Sequence, residues 1–174
     1  LSAPQFLIGA KVAPAEMGAA LQRQKIVAQL AMRTLFGSSG RFYNRLYSEG
    51  VLNRDYDYEI DYTAGVATIM IGGESSDPQR VLSEVNSAIS AVKANGLDRD
   101  AFERAKKASF GARLRGLESF DSICISMVTG LFGDYCSLDS FEVLDSVAID
   151  ECEMFLTEFM APDRLAMSVL SPEA

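Results

Sequence analysis

Residues 36–52 read Phe36-Gly37-Ser38-Ser39-Gly40-Arg41-Phe42-Tyr43-Asn44-Arg45-Leu46-Tyr47-Ser48-Glu49-Gly50-Val51-Leu52. A long amphipathic pattern leads into this stretch, and two strand-like patterns follow it. Inside it, the spacing of Phe42 and Leu46 predicts a short helix with one buried face. Ser38 or Ser39 is expected to N-cap this helix, and Gly50 is expected to end it.

The residues before this stretch predict a strand and a long helix. Residues 6–12 are apolar and lie between Pro4 and Pro14, as is typical of a strand. Pro14 and Glu16 suit the first turn of a helix that continues to Gly37. Its apolar face would carry Met17, Leu21, Ile26, Val27, Leu30 and Leu35, and its polar face Gln22, Arg23, Gln24, Lys25 and Arg33.

The residues after it predict a β-hairpin. Tyr56, Tyr58, Ile60 and Tyr62 alternate with Asp57, Glu59 and Asp61, so one face of this strand should be packed and the other solvated. A turn at Thr63-Ala64-Gly65 would lead into a more buried strand over residues 66–73.

The rest of the chain predicts helices followed by one last strand. A helix capped by Ser76-Asp77-Pro78 is expected from Pro78 to about residue 94, and others from Asp98 or Asp100 to about residue 118 and from Ser119 to Phe132. Two more are expected from Ser137 to about residue 147 and from Ile149 to about residue 160. The helix over 119–132 is apolar on nearly all sides, which predicts that it is buried. Residues 164–170 predict the final strand, in the same sheet as the others.

The predicted order is β-α-α-β-β-α-α-α-α-α-β. This segregation indicates an α+β fold, with a mostly antiparallel sheet of about four strands and helices packed on one face. The length suits a single domain over residues 1–174. The abrupt starts and stops at Leu1-Ser2 and Glu173-Ala174 suggest a piece of a longer protein.

Composition excludes several classes of partner. With 16 basic against 24 acidic residues the net charge is -8, so no nucleic-acid partner is expected. No apolar run reaches the roughly 18 residues that cross a bilayer, so no membrane partner is expected. The three cysteines, Cys124, Cys136 and Cys152, are an odd number that fits a reducing compartment, which predicts a cytoplasmic location. All three are interpreted as buried small hydrophobic residues.

The chain contains no histidine. Most hydrolytic zinc sites, Ser-His-Asp triads and Cys-His pairs depend on imidazole, because its pKa lies near neutrality. The sequence therefore predicts no catalytic residue and no metal ligand within this chain.

Several clusters nevertheless deserve a structural test. Gly37-Ser38-Ser39-Gly40 before a helix could cradle an anion, but the lysine and hydroxyl pair of a phosphate loop is absent, which favours a turn and cap. The acidic residues Glu49, Asp55, Asp57, Glu59 and Asp61 could hold a metal, although a solvated strand is the simpler interpretation.

Other clusters have structural interpretations. Surface pairing four residues apart explains Glu103, Arg104, Lys106 and Lys107. Cys136 has no basic neighbour or histidine to activate it. The tyrosines at 43, 47, 56, 58 and 62 could form a peptide-binding surface, although a place in the core is the simpler interpretation for most of them.

The ordered set of motifs resembles the C-terminal half of a pitrilysin/insulinase-type (M16) zinc metallopeptidase. The matching features are the strand with Ile8-Gly9, the helix into Leu35-Phe36-Gly37, the units Gly40-Arg41-Phe42-Tyr43 and Leu46-Tyr47-Ser48-Glu49-Gly50-Val51-Leu52, a Tyr-rich hairpin ending at Gly72-Gly73, residues 102–107, and a strand after Ala161-Pro162. The pattern is particularly similar to Firmicute-type members, in which Ser-Ser-x-x-Phe-Tyr-x-x-Leu-Tyr-x-Glu-Gly-Leu replaces the commoner Arg-Glu-x-x-Gly-Leu form.

The resemblance implies a function for the chain. In this family a catalytic N-terminal half holds zinc through His-x-x-Glu-His and a distal glutamate, and the C-terminal half closes a chamber over an unfolded peptide. This chain would then be a non-catalytic C-terminal domain that walls the chamber and packs on a catalytic lobe or partner subunit. Zinc is expected only in that missing half or partner. The alternative is a structural or assembly subunit of the same fold with no proteolytic role.

The chain differs from the family pattern at one substrate-binding position. C-terminal halves of the family contribute an arginine and tyrosine pair that grips substrate near the metal. In the register set by Gly40-Arg41-Phe42-Tyr43, Tyr47 stands at the arginine position, and Tyr56 does not restore the spacing. The residues that would contact a peptide therefore stay unassigned, although an extended peptide could pair with an exposed sheet edge.

Overall fold

The computed structural model describes residues 3–63 and 65–172. Its strands are β1 (Gln5–Val12), β2 (Asp57–Thr63), β3 (Val66–Glu74) and β4 (Ala166–Leu170). Its helices are α1 (Ala19–Phe36), α2 (Arg41–Ser48), α3 (Pro78–Asn95), α4 (Arg99–Gly116), α5 (Phe120–Phe132), α6 (Ser140–Ser146) and α7 (Ile149–Phe159), with single 3₁₀ turns at Ser137–Asp139 and Pro162–Arg164. Ala64 of the predicted hairpin turn and the chain ends at Leu1-Ser2 and Glu173-Ala174 lie outside the described residues.

The predicted α+β fold and element order are confirmed. The four strands form one antiparallel sheet in the order β2-β3-β1-β4. On one face of the sheet, alternate residues of β1 and β3 are buried: Phe6, Ile8, Ala10, Val12, Ala67, Ile69 and Ile71. On the other face Leu7 is 46% exposed, so the helices cover only the first face.

Helix α1 lies at the centre of the helical layer. It contacts α4, α6 and α7 as well as β2. Its buried residues include Ala28, Leu30, Ala31, Met32 and Phe36, each with no measurable exposure. Small alanines beside large residues allow neighbouring helices to approach α1 closely. The positions of α4, α6 and α7 therefore depend on their packing against α1.

Helix α1 begins later than predicted. Residues 13–18 are not helical, and the helix begins at Ala19 after Gly18, whose φ is +99°. The side chain of Gln24 accepts a hydrogen bond from Ala15 N–H at 2.8 Å and donates one to Ala13 C=O at 2.9 Å. Because Gln24 satisfies these backbone groups, the proline does not start the helix.

Two face assignments in this region were also wrong. Met17, predicted on the apolar face, is 64% exposed. Gln22, predicted on the polar face, is 5% exposed, and its amide donates to Cys136 C=O at 2.7 Å.

The predicted caps differ in outcome. Gly40, rather than Ser38 or Ser39, precedes α2, and no side chain caps that helix. Gly50 follows the end of α2 with a φ of +70°, as its prediction required. Asp77 caps α3, and Asp98, rather than Asp100, caps α4.

The prediction that α5 is buried is wrong. Phe120, Leu131 and Phe132 are 79%, 78% and 77% exposed, and Gly130 is the buried residue of the helix. A helix that is apolar on all sides must be covered by something, but the sequence does not say by what. No element in the described part of the chain covers the outer face of α5.

The described ranges contain helices α1 to α7. None of these helices combines the length with the apolar composition that crossing a bilayer requires.

Candidate functional site

The turn at Gly37-Ser38-Ser39-Gly40 serves the backbone. Gly37 N–H donates to Arg33 C=O at 3.2 Å, and Gly40 N–H donates to Gly37 C=O at 2.8 Å. A side chain on Gly37 would collide with the carbonyl of Arg33. These bonds support the structural interpretation of the turn.

The acidic residues do not converge. Glu49 forms an ion pair with Arg80. Asp57, Glu59 and Asp61 are exposed along β2, on the sheet face that the helices leave open. Across residues 3–63 and 65–172, no group of three or more Cys, Asp or Glu side chains is placed to hold a metal ion.

Within the charged patch on α4, Lys106 makes contacts other than the predicted surface pairing. Lys106 donates from Nζ to the carbonyl oxygens of Asp145 and Val147 at the end of α6. These carbonyls form the negative end of that helix, which a cation stabilises. Lys106 also lies 5.8 Å from the centre of the Phe102 ring. Lys106 therefore links α4 to the end of α6.

The cysteines differ in environment. Cys152 is buried as predicted, and burial raises the pKa of its thiol to about 12. Cys136 is exposed and Cys124 is half-buried, so their assignment to the core was wrong.

Three of the tyrosines form a stack. Tyr43 lies between Tyr47 and Tyr56, with ring centres 5.4 and 5.3 Å away. Tyr56 is buried, and its hydroxyl donates to Phe36 C=O at 2.9 Å. Tyr47 is 41% exposed, so the stack runs from the surface into the core.

Arg54 lies beside the exposed end of this stack. The neighbouring Tyr47 hydroxyl raises the pKa of the Arg54 guanidinium. An exposed arginine and tyrosine are thus adjacent here, with the tyrosine first in sequence. Arg54 was not among the residues predicted from the sequence.

Two adjacent cavities form a concave surface beside β2, which we name the edge groove. Its polar end has a volume of about 500 Å³ and is lined by α1, α4, α5, β2 and the chain after α5. Its apolar end has a volume of about 560 Å³ and is lined by residues that include Met17, Leu21 and Phe132. Lys25, Tyr62 and Thr129 line both ends, so the two cavities are adjacent.

Cations line the groove. Lys25 lies 5.6 Å from the centre of the Tyr62 ring and 5.5 Å from that of Tyr135. Arg113 donates to the Gln29 side chain at 3.0 Å. Burial, followed by the nearby charge of Arg33, lowers the pKa of Arg113. Asp61 is the acidic residue among those that line the polar end.

The groove also borders a strand edge. β2 is the outermost strand, and Thr63↔Val66 is the last pair of its ladder with β3. A hydrogen-bonded pair closes a two-residue hairpin loop, so alternate residues back from Thr63 bond to β3. The backbone N–H and C=O groups of Tyr58, Ile60 and Tyr62 then point away from the sheet. The N–H of Tyr58 agrees with this, since it donates to the Asp57 side chain at 2.8 Å.

The sequence analysis missed the groove, although one signal was present. Lys25, Gln29 and Arg33 recur every four residues on α1, which places them on one helix face. That face was assigned to solvent, because the position of Arg113 beside it depends on packing between distant segments.

No known family model matches the chain. It is 25% identical over 173 residues to an uncharacterized zinc protease, YmfH, of Bacillus subtilis (strain 168), and the match covers 98% of this chain and 40% of that protein. The chain therefore spans about two fifths of the length of this relative.

Solved structures share the fold. A protein from Alicyclobacillus acidocaldarius, described as an M16-like peptidase, superposes with a TM-score of 0.94 at 23% identity, over 99% of this chain and 42% of that one. The inactive peptidase domain of a Bordetella parapertussis protein, described as a zinc protease, gives a TM-score of 0.81 at 11% identity, over 98% of this chain and 91% of that one. The predicted resemblance is thus confirmed: the chain has the fold of the M16-like peptidases and is similar, over nearly its whole length, to part of a bacterial zinc protease.

Proposed function

We propose that this chain is a non-catalytic C-terminal M16-type domain of a longer protein, in which it forms one wall of a peptide chamber and packs on a zinc-holding catalytic lobe or partner subunit. The observation that carries the proposal is the match of nearly the whole chain to two fifths of a zinc protease. The similarity to a domain described as an inactive peptidase domain supports the non-catalytic role. A location in the cytoplasm stays a prediction.

The outer face of α5 supports the packing role. Phe120, Met127, Val128 and Leu131 share one face of the helix at exposures of 79%, 58%, 50% and 78%. Contiguous apolar patches are uncommon on the surface of monomeric proteins and typically mark an interface. We infer that this face, which we name the α5 face, rests on the catalytic lobe.

The test of catalysis compares two proteins. The 174-residue chain and the longer protein that contains it are incubated with an unfolded peptide, with and without a zinc chelator. We expect cleavage only by the longer protein and only without chelator. Zinc-dependent cleavage by the short chain would contradict the proposal. A longer protein that lacks His-x-x-Glu-His and cleaves nothing would favour the assembly subunit instead.

The test of packing uses the longer protein with Phe120→Gln and Leu131→Gln. We expect lower zinc-dependent cleavage and a larger radius of gyration in X-ray scattering, because the polar side chains weaken contact between the lobes. Met154→Gln is the matched control, since Met154 is 64% exposed on α7, away from this face. Equal cleavage and equal size for both variants would remove the α5 face from the proposal.

A further inference from the structure

We propose that the edge groove binds an extended acidic peptide segment, whose main chain adds to the free edge of β2 and whose glutamate or aspartate side chain lies between Lys25 and Arg113. This inference rests on the proposed function in that it takes a peptide as the ligand. It adds where on this chain the peptide binds and which side chain is selected.

The edge of β2 that faces away from β3 would bind the main chain of the peptide. The outward N–H and C=O groups of Ile60 and Tyr62 form no hydrogen bond outside the β2–β3 ladder in the part of the chain that the structure describes. Unpaired strand edges accept another strand, and main-chain hydrogen bonds then bind a peptide with little regard to its sequence. Because the edge lies along the groove, a peptide added there enters the groove lengthwise.

Lys25, Arg33 and Arg113 carry the positive charge that would attract an acidic peptide. The ion pairs among the described residues join Arg23, Arg41, Arg45 and Arg80 to carboxylates, and none of them includes Lys25, Arg33 or Arg113. Lys25 and Arg113 line the groove, and Arg33 lies near enough to Tyr58 of β2 and to Arg113 for its charge to act on both. Both Arg33 and Arg113 contact Ser109, through its hydroxyl and its carbonyl at 3.5 Å.

Two polar groups of the groove, the Arg113 guanidinium and the Tyr62 hydroxyl, are partly or fully removed from solvent. Arg113 is half-buried beside another guanidinium, which disfavours its charged form and lowers its pKa. The hydroxyl of Tyr62, which also lines the groove, is buried and has no hydrogen-bond partner among the described residues. A bound carboxylate would offset the repulsion between Arg33 and Arg113. Polar groups of the peptide beside that carboxylate could form the hydrogen bond that the Tyr62 hydroxyl lacks.

The two ends of the groove differ in polarity. Side chains of an extended peptide alternate, so residues two apart face the same side. The polar end of the groove suits a carboxylate, and the apolar end, lined by Met17, Leu21 and Phe132, suits an apolar side chain further along. Each volume lies within the about 300–1,000 Å³ of typical ligand sites. The groove therefore favours a peptide with acidic and apolar residues on one side.

The experiment measures binding of fluorescein-labelled peptides to the chain by fluorescence anisotropy. One peptide alternates valine and threonine around a central glutamate, and its partner has glutamine there. We expect the glutamate peptide to bind about fivefold tighter or more. We expect Lys25→Gln and Arg113→Gln each to remove most of that preference. Arg104→Gln, which removes the same charge from an exposed site on α4, should leave it unchanged.

Two further arms separate the parts of the proposal. A glutamate peptide N-methylated at alternate residues cannot donate to the strand edge, and we expect it to bind at least about fivefold more weakly. N-acetylglutamate amide has the carboxylate without the strand, and we expect it to compete only at much higher concentration. If N-acetylglutamate amide competed at the same concentration as the glutamate peptide, the ligand of the groove would be a small carboxylate rather than a peptide.

The proposal is overturned if neither peptide binds, if both bind equally, or if Arg113→Gln behaves as Arg104→Gln does. Because this experiment does not measure cleavage, its outcome is separate from that of the proposed function. Peptide binding without peptidase activity in the longer protein would preserve the groove and reject the enzyme role. Zinc-dependent cleavage without groove binding would do the reverse.

Discussion

Tyr56 joins the tyrosine stack to the end of α1. Its ring is buried between Phe42 and Tyr43, with ring centres 6.2 and 5.3 Å away. Its hydroxyl donates to the carbonyl of Phe36, beyond which the helix stops. Burial, with the nearby groups Tyr58, Asp57 and Tyr43, raises the pKa of the hydroxyl, so it remains a neutral donor.

Tyr56→Phe tests this contact. We expect a loss of about 1–2 kcal/mol in the free energy of unfolding, because a buried carbonyl loses its partner. Urea unfolding followed by circular dichroism measures the change. Tyr47→Phe, at the exposed end of the same stack, should change stability by less than about 0.5 kcal/mol. Equal effects of the two substitutions would show that the Phe36 bond is unimportant.

At the scale of elements, α1 and α7 are joined by an ion pair. Arg23 donates to both carboxylate oxygens of Glu151 at 2.8 Å. The same Glu151 side chain accepts from Ala148 N–H at the start of α7. The hydrogen bond from Arg23 is the largest cause of the lowered pKa of Glu151.

Glu151→Gln tests the pair through its pH dependence. A carboxylate whose pKa is lower in the folded state than its ordinary 4.5 adds stability above that pH, and the contribution is lost as pH falls through the folded pKa. We expect the variant to be about 0.5–1 kcal/mol less stable at pH 7, and the difference to shrink below about pH 4.5. Glutamine can still accept from Ala148, so only the charge is removed.

Unfolding at a series of pH values provides the measurement for this pair. Glu158→Gln, an exposed change on the same helix, is the control and should show no such convergence. A difference between wild type and Glu151→Gln that stays constant down to pH 3 would mean that the charge of Glu151 contributes nothing.

The junction of α4 and α6 depends on a different contact. Lys106→Met keeps the length of the side chain and removes its charge and its bonds to the Asp145 and Val147 carbonyls. We expect a loss of about 1 kcal/mol in unfolding free energy, because the carbonyls at the end of α6 lose their cation. Lys107→Met is the control one residue away on the exposed side. A loss no larger than the control's would contradict the capping role.

How well the sequence predicts each element follows from the range of the interactions involved. The strand at Tyr58-Glu59-Ile60 and the caps at Asp77 and Asp98 depend on neighbours in sequence, so their patterns were sufficient. The start of α1 was mispredicted because a side chain nine residues along, Gln24, bonds to Ala15. The Gln22 amide pairs with a carbonyl 114 residues away, which no local pattern contains.

The candidate site was less predictable for the same reason. The edge groove brings Lys25 of α1, Tyr62 of β2 and Arg113 of α4 together. Each looked like an ordinary surface or core residue in its own segment. Absence of histidine could be read directly, whereas the convergence of cations depends on three elements that the sequence does not order in space.

At the scale of the whole molecule, the described residues combine a hydrophobic core with an uncovered apolar surface on α5. The core joins the inner face of the sheet to α1, α3, α4 and α7. The α5 face lies outside it, so its side chains contribute little to folding. Stability and association are therefore separable in this molecule.

Phe120→Gln with Leu131→Gln tests this separation on the chain alone. We expect the unfolding free energy to change by less than about 0.5 kcal/mol, because both side chains are more than three-quarters exposed. We expect binding of anilinonaphthalene sulfonate, which reports exposed apolar surface, to fall by about half. Met154→Gln should change dye binding much less. A large loss of stability would show that the α5 face belongs to the core.

The position of β1 in the sheet has a consequence for biosynthesis. Its residues pair with β3 on one side and with β4 on the other, where Gln5 lies opposite Leu170. β1 leaves the ribosome before both of its neighbours, and its second neighbour, β4, emerges only about 160 residues later. Until β4 emerges, one edge of β1 in the nascent polypeptide is unpaired. Any other strand that pairs with this edge first, including one from a chain on an adjacent ribosome, competes with β4.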